Sequence, residues 1–204
     1  MPRALSRLEL AEILERASLR SERDAALIAG TFLTAARISE ILGLRVDDIA
    51  TIEGDIMLVQ LRILKRRGDK EVRKVIPIVA EDPFAPYFWD YALEAEGPLV
   101  FKMDRTTAWR ICRRYGFHPH ELRHSRLTEL GQYMPESVLK AFAGWKIKGV
   151  VGIYLHYGWR QFLPFVRQAA RDAEAALKSA GLRIKLSYPP GVPGQGGKIF
   201  IRGM

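Results

Sequence analysis

The strongest fold constraint in this 204-residue chain is a stretch that alternates as a strand does and then turns straight back. Asp55 to Leu64 alternates and is rich in Ile, Leu and Val, Arg66-Arg67-Gly68-Asp69 reads as a turn, and Lys70 to Val79 returns. That predicts a β-hairpin with a basic tip. Everything around it carries helix punctuation. Ser6-Arg7-Leu8-Glu9 is a capping box opening a helix to about Ala17, and Ser21 caps a second through about Thr34. Ala36 to Leu42 continues helically and stops at Gly43. Further helices are expected over Pro86–Glu96 and Thr106–Tyr115, from Pro119, from Pro135 to near Gly144, over Ile147–Tyr157 and over Trp159–Ala180. The expected class is α+β, mainly α-helical, with a small antiparallel sheet or hairpin. Tyr188 to Gly197 holds three prolines and four glycines, a linker composition, and Lys198 to Arg202 suits a short strand.

Hydrophobic residues make up 48% of the chain, enough for a globular core, and the net charge of +9 favours a polyanionic partner. The single cysteine, Cys112, excludes an internal disulfide and reads as an apolar helical position. There is no secretory h-region and no apolar run of transmembrane length, so the expected setting is cytoplasmic, with no membrane partner.

Three groups of residues could carry chemistry. Arg37 and Glu40 are three apart on a helical stretch, so the carboxylate can orient the guanidinium; an isolated pair of this kind is usually a surface ion pair. His120 and Arg123 stand at the start of a helix, an imidazole that can move a proton beside a fork that can grip two phosphate oxygens, with His124 next in line. Trp145 follows Ala143-Gly144, and Tyr154 comes nine positions later, with Tyr157 one helical turn beyond as its competitor. A phenol with an ordinary pKa of about 10 needs nearby positive charge and a proton acceptor to attack phosphorus. No zinc-type Cys/His cluster, Walker-type loop or set of acidic residues suited to two-metal chemistry stands out, and no cofactor is expected.

Taken in order, these residues resemble the catalytic domain of the tyrosine recombinases, the phage integrase family. Thr34 to Leu44 is similar to the family's first arginine box, with Ala35-Ala36 where a glycine-containing pair is usual, and His120-Glu121-Leu122-Arg123-His124-Ser125 to its second box. Trp145 stands where histidine is commoner. The resemblance covers about residues 2 to 170. It implies that Tyr154 is the nucleophile, that Arg37, Arg123, His120 and Trp145 stabilise the phosphoryl transition state, and that a hairpin lysine protonates the leaving 5′ oxygen. Lys65 is preferred for that role and Lys70, across the turn, is the alternative. Glu40 and His124 are supporting residues, and Arg66, Arg67 and Lys70 are expected DNA contacts. The implied activity is strand breakage through a 3′-phosphotyrosyl link and rejoining, without metal or ATP. The implied partner is double-stranded DNA, bound by a tetramer of the chain. A type IB topoisomerase-like enzyme and a non-catalytic DNA-binding module are the alternatives. The expected organisation is a catalytic domain over 1–186, a linker and docking tail over 187–204, and no N-terminal clamp domain.

Overall fold

The computed structural model of the chain describes residues 3–63, 72–145 and 157–182. At its centre lies α2 (Glu22–Leu33), in which every residue from Asp24 to Leu33 is buried. A helix that is apolar on all sides must be covered on all sides. Around it pack α1 (Arg7–Arg20), α3 (Ile38–Leu42), α4 (Ala85–Leu93), α5 (Arg105–Arg114) and α6 (Pro119–Leu130). Against α4 the approach is so close that a Cβ on Gly30 would fall 2.4 Å from the Phe88 ring, so only glycine fits there. The helix starts follow the caps. Ser6 and Glu9 form the expected capping box ahead of α1, and the Ser21 and Asp104 side chains accept from backbone N–H groups of Asp24 and Thr107 at the starts of α2 and α5.

The sheet lies to one side. β2 (Ile56–Ile63) and β3 (Val72–Val79) pair antiparallel from Ile56↔Val79 to Ile63↔Val72. A third strand that the sequence pattern did not signal, β1 (Ile49–Ile52), adds to β2's other edge, in the order β1-β2-β3. Pro77 sits on β3, an edge strand, where a missing N–H is tolerated. The long helix α8 (Trp159–Ser179) packs on β3 and carries Pro164 in its second turn. α7 (Glu136–Ala143) closes the arrangement between α6 and α8. Cys112 is buried on α5, and burial pushes its thiol up to about 12, as an apolar helical position requires. No described helix is long and apolar enough to cross a membrane.

Two expectations are corrected. Ala36 to Leu42 does not continue the preceding helix. α2 ends in a Schellman motif: Ala36 N–H donates to the Thr31 carbonyl at 3.2 Å and Ala35 N–H to Phe32 at 2.9 Å. Ala35 takes the left-handed conformation, φ 47°, that glycine usually fills, so no glycine marked the break. Arg37 therefore precedes α3 as its extended N-cap rather than lying within a helix. Pro135 likewise stands just ahead of α7 rather than inside it. The hairpin tip, the Ile147–Tyr157 helix up to His156, the linker and the terminal strand lie outside the described residues.

A buried ionic knot fixes α1, α6 and the turn before α4. Arg7 grips Asp82 with both arms, at 2.7 and 2.8 Å, and donates through Nε to Glu129 at 2.7 Å. Arg126, fully buried, bonds Glu129 at 2.5 Å and lies 3.8 Å from Asp82. Both guanidiniums stack over Phe32. Burial alone would raise the Asp82 carboxyl, but the pull of Arg7, then its hydrogen bonds and Arg126, holds it below the ordinary value. Since α6 carries Arg123 one turn before Arg126, this knot sets where Arg123 points.

Candidate active site

Two helix C-termini converge on one guanidinium. Arg123 is 3% exposed, and its fork donates to the carbonyl of Ala35, at the end of α2, and to that of Ala143, at the end of α7, the latter at 2.7 Å. The α7 end is also a Schellman motif. Trp145 N–H returns to the Lys140 carbonyl and Gly144 N–H to Ala141, each at 2.9 Å. Gly144 sits at φ 70°, and a Cβ there would fall 2.7 Å from Ile63 Cδ1 of β2, so conformation and packing both call for glycine. Carbonyls at helix C-termini carry partial negative charge, which suits a buried cation.

Arg37 stands beside this junction. Its backbone N–H donates to Glu40 at 2.9 Å and its guanidinium to the other Glu40 oxygen at 2.7 Å. The Glu40 side chain is 1% exposed whereas that of Arg37 is 46% exposed. One buried carboxylate thus aims a guanidinium outward, which an isolated surface pair would not do. Arg37 and Arg123 are near enough to feel each other: burial, and then repulsion from Arg37, hold Arg123 below the ordinary guanidinium value, with Glu40 opposing.

His120 and Arg123 share α6 but not an environment. His120 is exposed and lines, with Arg37, a cleft of about 420 Å³ whose other walls include Arg105, Trp109 and His118. The sequence reading passed over those three. The signal for them was an indole on an Arg-rich helix: Trp109 is 46% exposed, with Arg113 lying 5.8 Å over its ring. Arg113 also lies 3.2 Å from the ring nitrogen of His118. His124 is half-buried on α6. Trp145 is 47% exposed at the end of α7, two residues past the carbonyl that Arg123 holds. Tyr157 is engaged elsewhere, its hydroxyl 2.9 Å from that of Ser137 on α7. Tyr154, Lys65, Arg66, Arg67 and Lys70 lie outside the described residues.

The cluster also contains a residue that the sequence analysis did not single out. Lys74, on β3, is 7% exposed, donates to the Phe142 carbonyl at 3.3 Å, and lies within electrostatic reach of Glu40, Arg123 and Arg37. The described residues thus bring Arg37, Glu40, Arg123 and Lys74 within electrostatic reach of one another, with His120 on the cleft wall beside Arg37 and Trp145 just past the α7 carbonyl that Arg123 holds. Several fixed N–H donors around one opening can bind a tetrahedral oxyanion and stabilise charge that grows on it.

The fold is that of a tyrosine recombinase catalytic domain. In sequence the chain is similar to tyrosine recombinase XerA of Thermococcus kodakarensis, 28% identical over 146 residues, which is 64% of this chain and 49% of the relative. In structure it is similar to the XerH site-specific recombinase bound to difH substrate in a pre-cleavage complex, with TM-score 0.57 at 18% identity over 77% of this chain and 51% of that one. It is also similar to the Tn1549 transposon integrase in complex with circular intermediate DNA, with TM-score 0.50 at 16% identity over 79% of this chain and 64% of that one. The chain spans about half the length of the curated relative it matches. No family model matches it.

Proposed function

We propose that the chain is the catalytic domain of a site-specific DNA recombinase or integrase. The observation that supports this is the junction at Arg123, whose guanidinium ties the end of α2, two residues before Arg37, to the end of α7, two residues before Trp145, beside a cleft lined by Arg37 and His120. The net charge of +9 and the DNA-bound state of the structural neighbours support DNA as the partner. Tyr154 attacks a DNA phosphorus: its phenolic oxygen forms the P–O bond, the bond to the 5′ oxygen breaks, and a 3′-phosphotyrosyl link results. His120 accepts the phenolic proton, and Lys65, or Lys70 across the turn, delivers one to the departing 5′ oxygen. Arg37 and Arg123 hold the non-bridging oxygens, and Trp145 offers an indole N–H that can donate but not relay a proton. A second 5′-hydroxyl then reverses the step, so the phosphoester bond energy is kept and no ATP is needed. Exchange between two sites calls for a tetramer.

The test is covalent trapping. The protein is incubated with a pool of labelled, nicked duplexes in chelator, denatured in SDS and resolved on a gel. A DNA-linked band is expected from wild type and not from Tyr154→Phe. A band that persists in Tyr154→Phe and disappears in Tyr157→Phe would overturn the assignment.

A further inference from the structure

Lys74 is out of place by ordinary sheet logic. It occupies the inward face of β3 together with Ile76 and Ile78, where an aliphatic side chain would fill the space without burying a charge. Its stem runs against Gly144, and its Nζ reaches the Phe142 carbonyl in the last turn of α7. The charged groups facing it are Glu40 from α3, Arg123 from α6 and Arg37 from the turn ahead of α3. Among the described residues of this cluster, three cations therefore share one carboxylate. Burial, reinforced by Arg123 and Arg37 and opposed by Glu40, brings its titration down to about 7. With Lys74 neutral the arrangement is short of one negative charge, and with Lys74 protonated it is short of two.

We propose that Lys74 is a positioning residue of the oxyanion site, tying β3 to the end of α7 that carries Trp145 and taking up a proton from solvent when an anion enters beside Arg37 and Arg123. In the balanced step, the lone pair of the neutral amine accepts a proton from the buffer, and the ammonium formed offsets the charge of the anion. The inference adds a residue to the site proposed above. It rests on that reading only for the identity of the anion as a DNA phosphate.

Sulfate is the probe, because it is tetrahedral and does not itself titrate near neutrality. The 13Cε resonance of Lys74 in 13C-lysine-labelled protein, assigned by its loss in Lys74→Arg, is followed against pH with and without saturating sulfate. A midpoint near 7 is expected without sulfate, rising by about one pH unit or more with it. By linkage, sulfate affinity then weakens about tenfold between pH 6 and pH 9. The measurement is repeated in His120→Asn, where the lysine component persists. Lys74→Met loses that component, and Lys74→Arg binds sulfate at pH 9 as tightly as at pH 6. A Lys74 midpoint near the ordinary lysine value, a midpoint that sulfate does not move, or a sulfate titration that leaves Arg37 and Arg123 unperturbed would each overturn the proposal. The wild-type titration needs no folded variant. An absent DNA adduct with the sulfate linkage intact would sink the recombinase reading alone, and the opposite pattern would sink the Lys74 assignment alone.

Discussion

Replacing Lys74 by methionine should stabilise the protein, by an amount that depends on pH. The folded chain releases the Lys74 proton at about 7, against 10.5 for an ordinary lysine. That gap, at about 1.4 kcal/mol per pH unit, caps the cost of the buried ammonium at about 5 kcal/mol. Methionine forfeits the bond to the Phe142 carbonyl, worth about 1 kcal/mol, and leaves that acceptor bare. The net gain expected for Lys74→Met at pH 6 is therefore about 2–4 kcal/mol. Because the folded pKa of this base is lowered, the penalty is complete below about 7 and gone above 10.5. Between those values the unfolded chain holds a proton the folded chain has lost, so wild-type stability rises with pH. The methionine variant lacks that rise, and its advantage should vanish near pH 10. Urea unfolding of both proteins at pH 6, 8 and 10, followed by circular dichroism, measures the difference, in which all other titrating groups cancel. Parallel stability profiles for the two proteins would refute the reasoning.

Asp82→Asn, which leaves Arg7 and Arg126 buried with only Glu129 between them, should cost about 3–5 kcal/mol and lower the melting temperature on the order of 10 °C. Since the folded Asp82 carboxyl lies below its ordinary 3.8, its contribution is present above that pH and lost as the pH falls through the folded value, so acid should destabilise wild type more than the variant. Ala35→Gly should raise stability by about 0.5–1 kcal/mol in a thermal melt, since a left-handed alanine costs about 1–2 kcal/mol and glycine's extra chain entropy returns part of it. A neutral result there would mean that the turn is unstrained. Tyr157→Phe removes the hydroxyl contact to Ser137 and should cost about 0.5–1.5 kcal/mol in urea unfolding while keeping the covalent DNA adduct.

What was legible in the sequence was local. The Ser6 and Ser21 caps, the β2–β3 pairing and the proline at the start of α6 each depend on a few neighbouring residues, and each is present. Arg37, Glu40 and Arg123 were picked out by type and order; Arg37 and Glu40 are hydrogen-bonded, and Arg123 lies within electrostatic reach of both. Two things were not legible. β1 is four residues long, too short for alternation to register, and exists because β2 offers it an edge. The end of α2 at Ala35 was hidden because its usual marker is glycine, and the conformation is held instead by packing and by Arg123 from another helix. Lys74 looked like one more cation near a basic tip. Its neighbours Arg73 and Val75 are less buried, and it is tertiary structure, with the α7 carbonyl of Phe142 brought against its Nζ, that makes Lys74 a buried site residue.

The two arginines that the sequence treats alike are different objects in the fold. Arg37 is held from behind by Glu40 and faces solvent, so an incoming phosphate can meet it without any rearrangement of the core. Arg123 is spent on two helix ends, and what it offers an anion are the N–H groups left after Ala35 and Ala143 are bound. Lysine could not stand in for it, because a single ammonium lacks the fork that spans two carbonyls. The carbonyls it holds lie two residues before Arg37 and two before Trp145. Arg123 therefore sets the spacing between the two groups that flank it, and a change at Arg123 should move Arg37 and Trp145 as well as remove a charge. In backbone amide NMR spectra, Arg123→Lys should shift the signals of Ala36 to Ile38 and of Gly144 and Trp145 together, while Arg37→Lys should leave Gly144 and Trp145 in place. Shifts confined to α6 in Arg123→Lys would show that the two helix ends are set by their own packing and that the guanidinium merely rests between them.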